Sequence, residues 1–151
     1  MCQRTNQFNL TTRRYDIADI EKFVGDSNAR VLTFELIDKF GNLGDIGLTI
    51  VRHDGEVASL DTMALSCRAF GRSMEDLMMA ASVSFAREFN VSALHGTYIP
   101  TGRNRIVETF LGRSGFLIVG NDDGAQFGVL ELAASANAVP KHLKIVSELD
   151  I

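Results

Sequence analysis

The sequence predicts a mixed α/β (α+β) domain, in which a mostly antiparallel, twisted sheet carries helices on both faces. Two observations predict this class. Segments with the alternation of a strand and segments with the spacing of an amphipathic helix follow one another along the chain. In addition, three consecutive strand-like segments between residues 30 and 66 are separated only by short turns, which favours an antiparallel meander.

The chain begins with a polar leader. Residues 1–15 become β-prone toward their end, so we expect them to run into a short first strand. The first helix is predicted over residues 16–24, because Ile17, Ile20 and Val24 share one helical face. Gly25 ends this helix.

The meander follows the first helix. Residues 30–38 alternate apolar and polar side chains, as a half-buried strand does. The glycine-rich segment 40–47 precedes a strand and not a helix, so it predicts a hairpin with a bulge and not a nucleotide-binding loop. The second hairpin strand is expected over residues 45–52, and the third strand over residues 57–66.

The second half of the chain predicts two helices and three strands. Met74, Met78, Ala81 and Phe85 recur at helical spacing, which indicates a helix from about Ser73 to about Glu88. The remaining elements are a strand over 91–98, a helix from Asn104 to about Arg113, and strands over 116–119 and 126–132 joined by the Asn121–Gly124 turn. Residues 135–151 are weakly patterned and predict either a short helix or a tail.

Size and composition indicate one soluble domain, which we place at residues 16–151. The chain has 151 residues, 46% of them hydrophobic and 23% charged, which is enough to build a core. No apolar run is long enough to cross a membrane, and no signal sequence is present. Cys2 and Cys67 lack metal-ligand spacing, which suits a cytoplasmic protein without a metal. The net charge of −4 argues against nucleic-acid binding.

The segment from Arg68 to Ser73 is the candidate binding loop. It joins the third meander strand directly to the central helix, so its backbone N–H groups lie at the positive end of that helix. Gly71 lets a ligand approach the backbone closely, and arginine suits phosphate recognition. The sequence therefore predicts a phosphate or diphosphate site here. The alternative is a capping box, in which Ser73 is the N-cap and Asp76 is the third helical residue.

This element order, with Arg-x-x-Gly-x-Ser at residues 68–73, resembles the GNAT acyltransferase fold. A second similar feature is Asn104 followed by the segment Phe110-Leu-Gly-Arg-Ser-Gly-Phe116. The resemblance implies that the loop holds the diphosphate of coenzyme A, and that the preceding strand splays from its neighbour to admit the pantetheine arm. One departure is Leu111, which stands where the family often has a tyrosine acid. Leucine cannot protonate a leaving thiolate.

Four segments resemble the C-terminal region of FkbH-type proteins: residues 5–15, Phe40-Gly41, residues 65–68 and residues 98–104. That family joins a haloacid-dehalogenase-like domain to a GNAT-like domain and loads a glyceryl unit onto an acyl carrier protein. The resemblance implies that residues 1–15 lead from a missing upstream domain. It also implies an acyl carrier protein partner and polyketide-type metabolism. The Asp-x-Asp-x-Thr/Val motif of the phosphatase-type half is absent from this sequence.

Two side chains are candidates for acid–base chemistry. Tyr98 ends a strand beside the expected cleft and can donate a proton, although a structural tyrosine explains it equally well. Asp61 has the same strand parity as Met63 and Leu65, and a carboxylate on an apolar face can serve as a general base. The alternative for Asp61 is an ordinary exposed position near a strand end. His95 has the opposite parity to Tyr98, so the two do not share a face.

These observations lead to two functional hypotheses. In the first, the domain binds coenzyme A, acetyl-CoA or a carrier-protein phosphopantetheine and takes part in acyl transfer, with glyceryl as one candidate group. The binding residues are then Arg68, Phe70, Gly71, Arg72, Ser73 and Asn104. In the second, it is a non-catalytic docking or structural domain whose arginines receive an acidic carrier protein.

Overall fold

The computed structural model describes residues 7–135 and 138–146. Cys2 and the beginning of the predicted leader, with Thr5 and Asn6 of the FkbH-like segment, lie outside the described residues. None of the described helices is long and apolar enough to cross a membrane.

The described residues contain seven strands and three α-helices. In chain order they are β1 (Phe8–Asn9), α1 (Ile17–Val24), β2 (Ala29–Asp38), β3 (Gly41–Asp54), β4 (Val57–Leu65), α2 (Met74–Glu88), β5 (Ala93–Tyr98), α3 (Phe110–Arg113), β6 (Leu117–Asp122) and β7 (Ala125–Glu131). Short 3₁₀ turns at Cys67–Ala69 and Arg105–Val107 precede α2 and α3. This order is the one predicted.

All described strands belong to one sheet. Its order is β2-β3-β4-β5-β7-β6, and β1 pairs with β4 outside this path. Every pairing is antiparallel except that of β4 with β5, which are parallel because α2 crosses over between them. The predicted fold class, a mostly antiparallel mixed sheet with helices, is confirmed.

The two longer helices cover opposite faces of the sheet. Ile20 and Phe23 of α1 pack on Leu48 and Ile50 of β3. Met78 of α2 belongs to the main core and approaches Gly47 of the same strand, where a Cβ atom would lie 2.8 Å from its sulfur. Successive strand residues face opposite sides, so Gly47 and Leu48 place α2 and α1 on different faces.

Strand bounds differ most at the glycine-rich hairpin. β3 begins at Gly41, four residues before the predicted start, because the chain reverses at Lys39–Phe40 and the glycines lie within the strand. The expected bulge is present as two register shifts between Phe34 and Ile37 of β2. Residues 138–146 contain neither helix nor strand.

Neither Ser73, the N-cap of the alternative capping box, nor Asn104, the predicted start of the next helix, caps a helix through its side chain. Ser73 has a left-handed backbone with φ of 56° and makes no side-chain cap, so the capping box with Asp76 does not form. Asn104 makes no side-chain cap either. The segment it begins is a 3₁₀ turn followed by the four-residue α3 instead of one continuous helix. Asp16, in contrast, caps α1 through a complete capping box with Asp19.

Candidate ligand site

The site begins where β4 and β5 separate. These strands pair only over Ala58–Leu60 and Leu94–Gly96. Immediately beyond, β4 has a β-bulge: Val51 pairs with Leu60 and Ile50 pairs with Thr62, so Asp61 is the extra residue. A bulge bends its strand and increases the local twist. The carboxyl ends of β4 and β5 therefore diverge from this point.

The chain's own residues 8–11 occupy the space between these diverging ends. Phe8 and Asn9 pair with Leu65 and Ala64 of β4. The N–H of Leu10 donates to the carbonyl of Met63 at 3.3 Å, and the carbonyl of Leu10 accepts from the N–H of Ile99 at 2.8 Å. The segment thus bridges β4 and the end of β5, as a strand of the sheet does.

This segment, called the cleft strand below, is almost completely buried. Phe8, Asn9, Leu10 and Thr11 are each no more than 4% exposed. The Phe8 ring meets the ring of Phe110 edge-on, with centroids 5.1 Å apart. Burial of Phe8 and Leu10 stabilises the cleft strand by about 1.5–3 kcal/mol for each side chain.

Asn104 holds the cleft strand from the β5 side. Its amide nitrogen donates to the carbonyls of Asn9 and Ile99, both at 2.9 Å. Its amide oxygen accepts from the backbone N–H of Thr101 at 2.7 Å. The amide group is completely buried and used within the chain, which explains why Asn104 does not cap a helix.

Asp61 anchors the chain just after the cleft strand. Its Oδ1 accepts a hydrogen bond from the Tyr15 hydroxyl at 2.6 Å, and its Oδ2 is paired with the Arg13 guanidinium. Thr62 donates to Oδ1 at 3.1 Å, and Arg52 lies 3.8 Å from Oδ2. Burial and the hydrogen bond to Asp61 raise the pKa of the Tyr15 hydroxyl.

The predicted parity of Asp61 is wrong because of the bulge. Leu60, Met63 and Leu65 all belong to the main core, so the alternation shifts by one residue between Leu60 and Met63. The Asp61 carboxylate lies instead beside Tyr15, on the face covered by α1. Both of its oxygens accept hydrogen bonds, a geometry that favours an anchoring role over the general-base role expected from the sequence.

The predicted binding loop lies next to the cleft strand. Gly71 has φ of 74° and is exposed, and a Cβ atom there would meet no atom of the described residues within 4 Å. No hydrogen bond within the described chain has the N–H of Gly71, Arg72 or Ser73 as its donor. The Phe70 N–H, in contrast, donates to the carbonyl of Cys67, and the Phe70 ring lies 6.3 Å from that of Phe8.

The charges around this loop are mixed. Arg72 donates to Asp38 at 2.8 Å, and this contact, with the N–H of Phe40, lowers the pKa of the Asp38 carboxyl. Glu75 and Asp76 lie in the first turn of α2, where carboxylates offset the positive end of the helix. Glu75 pairs with Arg113 at 3.4 Å through one oxygen, while its other oxygen is buried and has no hydrogen-bond partner among the described residues.

An open groove of about 1800 Å³ lies on the α1 side of the cleft strand. One wall is α1, with the exposed side chains of Ile17 and Val24, and the other is the first part of β3. Residues 65–68 line it where β4 ends, so the groove adjoins the predicted binding loop. The Arg68 guanidinium borders it and donates to the carbonyl of Asp45 at 3.4 Å.

Tyr98 and Leu111 lie in the core, away from this groove. Tyr98 is 1% exposed, and burial together with the nearby Glu108 carboxylate raises the pKa of its hydroxyl. Leu111 is completely buried, and its side chain lies 2.8 Å from the position of a Cβ added to Gly96. Leu111 therefore packs the sheet at the place where the GNAT resemblance implies an acid. His95 is exposed while Tyr98 is buried, as expected of two residues on opposite faces of β5.

The loop suits the diphosphate of coenzyme A, but the cleft between β4 and β5 has no space for its pantetheine arm. Three backbone donors in a partly exposed loop at a helix N-terminus, with left-handed backbone at Gly71 and Ser73, suit a diphosphate. The space that the GNAT resemblance assigns to the pantetheine arm is filled by the cleft strand. The arm and the strand cannot occupy that space together.

Comparison with known proteins supports the fold. No protein-family model matches the chain, and no curated protein matches it in sequence. Among solved structures, a protein assigned to the GNAT acetyltransferase family from Desulfovibrio desulfuricans aligns with a TM-score of 0.61 and 12% identity, over 75% of this chain and 76% of that chain. A GNAT-family acetyltransferase from Listeria monocytogenes aligns with a TM-score of 0.56 and 16% identity, over 79% and 73%.

One further neighbour contains a ligand. A protein assigned as a streptothricin acetyltransferase from Bacillus anthracis, in complex with acetyl coenzyme A, aligns with a TM-score of 0.59 and 15% identity. The alignment covers 74% of this chain and 66% of that one. At these identities the comparison establishes the architecture: the chain has the fold of the GNAT acetyltransferases.

The sequence predicts a short first strand within residues 1–15 but not its place in the sheet. Phe8 and Leu10 alternate with Asn9 and Thr11 as the two faces of a strand do. This local pattern does not indicate that the strand lies between β4 and β5, or that Arg13 and Tyr15 contact Asp61. Four residues are too few to identify the partner of a strand.

Proposed function

We propose that this domain binds a phosphopantetheine-bearing ligand, either coenzyme A or the arm of an acyl carrier protein, and assists acyl transfer. The observation that carries the proposal is the partly exposed loop at Gly71–Ser73. It offers three backbone donors at the start of a 15-residue helix, beside diverging parallel strands. Fixed amide donors at a helix N-terminus favour a phosphate ester.

The resemblance to FkbH-type proteins supports a finer version of this proposal. An acyl carrier protein is then the partner, a haloacid-dehalogenase-like domain precedes this one in the parent protein, and glyceryl is the group transferred in polyketide-type metabolism. All four segments that carry the resemblance, or parts of them, lie at or beside the site described above. They are residues 7–15 with the cleft strand, residues 65–68 at the end of β4, residues 98–104 with Asn104, and Phe40, whose N–H contacts Asp38.

Calorimetric titration tests the proposal. Coenzyme A and a phosphopantetheinylated carrier protein are titrated into the full chain, and we expect at least one of them to bind with a dissociation constant below the millimolar range. Gly71→Glu, which places a negative charge among the loop donors, should weaken binding at least tenfold.

The matched control is Gly55→Glu. Gly55 also has a positive φ, of 64°, and its Cβ position is equally open, but it lies in the β3–β4 turn. Both variants therefore carry the same backbone strain, and only the first changes the loop. Absence of binding by both ligands at millimolar concentration, or equal loss in both variants, contradicts the proposal.

The buried cleft strand and the apolar Leu111 favour a second candidate, a non-catalytic domain that docks an acidic carrier protein through exposed arginines. Salt separates the two candidates. Because salt screens exposed charges, the affinity for a carrier protein docked through surface arginines should fall steeply between 50 and 500 mM salt. A ligand held by the loop amides should also compete with free coenzyme A, whereas a docked protein surface should not.

A further inference from the structure

The cleft between β4 and β5 contains a bound peptide strand that belongs to the chain itself. Its backbone is recognised on both sides, by Met63 of β4 through the Leu10 N–H and by Ile99 through the Leu10 carbonyl. Its side chains alternate: Phe8 and Leu10 enter the main core, while Thr11 donates to the backbone carbonyl of Asp61 at 3.0 Å. This is the pattern of a strand added to a sheet, in which main-chain bonds hold the peptide and pockets select alternate side chains.

The residues that follow the cleft strand are also held in place by hydrogen bonds. The Asn9 side chain accepts from the N–H of Thr12, whose backbone is left-handed with φ of 55°. That turn brings Arg13 and Tyr15 onto the Asp61 carboxylate, and Asp16 then caps α1. The cleft strand is thus tied down at its centre by Asn104 and at its end by Asp61.

We propose that residues 8–11 are the permanent ligand of this cleft, bound by Asn104 and the backbones of β4 and Ile99, and that a pantetheine arm does not displace them. A ligand that needed the strand removed would bind about 100- to 10,000-fold more weakly, because two large apolar side chains would have to leave the core. A ligand on the loop needs no such change, since the N–H groups of Gly71–Ser73 take no part in the hydrogen bonds that hold the strand.

The consequence for the arm rests on the proposed function, whereas the occupancy of the cleft does not. If a phosphopantetheine ligand binds, its phosphate end lies at the loop and its arm remains outside the sheet. The groove that adjoins residues 65–68 is the open space available to that arm.

Amide hydrogen exchange on the full chain tests the proposal. The N–H groups of Leu10 and Ile99 report on the strand directly, because Leu10 donates from the strand to the carbonyl of Met63 and Ile99 donates to the carbonyl of Leu10. We expect both to exchange at least 100-fold more slowly than the exposed loop amide of Gly102, and to change less than twofold when coenzyme A is added at millimolar concentration. Exchange as fast as that of Gly102, or a tenfold acceleration by coenzyme A, overturns the proposal.

A reversible cross-link provides the second measurement. Asn9 and Ala64 face each other across an antiparallel pair, and such Cα atoms lie within disulfide range. The variant Asn9→Cys/Ala64→Cys, with Cys2→Ser and Cys67→Ser, is titrated with S-methyl coenzyme A, a thioether that cannot exchange with a disulfide, before and after oxidation, so that the reduced form is the control. The proposal expects equal affinities within twofold, and a tenfold loss on oxidation overturns it.

These readouts separate failure of the inference from failure of the proposed function. Slow exchange with no binding of coenzyme A leaves the inference standing and removes the coenzyme A form of the proposed function. Binding that accelerates exchange at Leu10 supports the proposed function and removes the inference. Binding with unchanged exchange supports both.

Discussion

Replacement of Asp61 by asparagine tests whether this carboxylate anchors the cleft strand. The Asp61 side chain is 3% exposed and accepts from Tyr15 at 2.6 Å, while the Arg13 side chain that pairs with it is 51% exposed. Asparagine preserves the shape and removes the charge. Its NH₂ group also faces the donor groups of Arg13 and Tyr15 where the carboxylate offered an acceptor.

The size of the effect follows from these contacts. A hydrogen bond to a charged group contributes about 1.5–3 kcal/mol, and the Arg13 pair contributes less because water screens its exposed half. Together we expect a loss of about 2–3 kcal/mol in the free energy of unfolding. For a chain of this length that loss lowers the melting temperature by about 5–10 °C.

The assay is urea unfolding followed by circular dichroism, with Asp54→Asn as the control. Asp54 is an exposed carboxylate at the end of β3, and its replacement should change the free energy of unfolding by less than about 0.5 kcal/mol. A double-mutant cycle of Asp61→Asn with Tyr15→Phe should give a coupling energy of at least about 0.5 kcal/mol. If Asp61→Asn is as mild as Asp54→Asn, the carboxylate does not anchor this segment.

Three other measurements examine the same architecture. Asn104→Ala leaves the carbonyls of Asn9 and Ile99 without this donor and should cost about 1–3 kcal/mol, whereas Asn121→Ala at an exposed position near the end of β6 should cost almost nothing; equal effects would contradict the role of Asn104. Gly96→Ala places a methyl group against Leu111 and Phe116 and should destabilise the fold by about 1–3 kcal/mol, while the methyl group of Gly102→Ala meets no atom of the described residues within 4 Å, so this variant serves as the control in the same urea-unfolding assay. The folded-state pKa of Tyr15 is raised, so the stability that its hydroxyl contributes is present below the unfolded pKa of about 10 and is lost as pH rises through the folded pKa. The stability difference between wild type and Tyr15→Phe, measured by urea unfolding from pH 8 to 11.5, should therefore shrink above about pH 10, and a constant difference would refute this linkage.

Much of the fold follows from local pattern. The predicted bounds of α2 and β4 differ from the structure by about one residue at each end, because their apolar side chains recur at the spacing of the elements they form. The same holds for β2 and α1. Such periodicity carries no information on which strands become neighbours. The predicted bounds of β3, at the glycine-rich hairpin, and of the short α3 therefore differ more from the structure.

The candidate site was predictable only in part. Gly71 and its position before α2 were recognised from the chain, because a glycine between a strand and a helix is a local feature. The exposure of its loop agrees with the prediction, and binding of a ligand there stays a prediction. Asp61 and Asn104 were also selected, but their partners are 46 and 95 residues away in sequence, so their contacts were not predicted.

By itself the sequence determined the kinds of elements, their order, and the glycine loop at the start of α2. Tertiary structure alone decided that residues 8–11 lie between β4 and β5, that Asp61 faces α1, and that the Asn104 amide is consumed within the chain. The physical reason is the distance in sequence between the residues that make each contact. Helical and strand periodicity arises from residues a few positions apart, whereas the bulge at Asp61 and the inserted strand depend on contacts formed after distant segments have packed together.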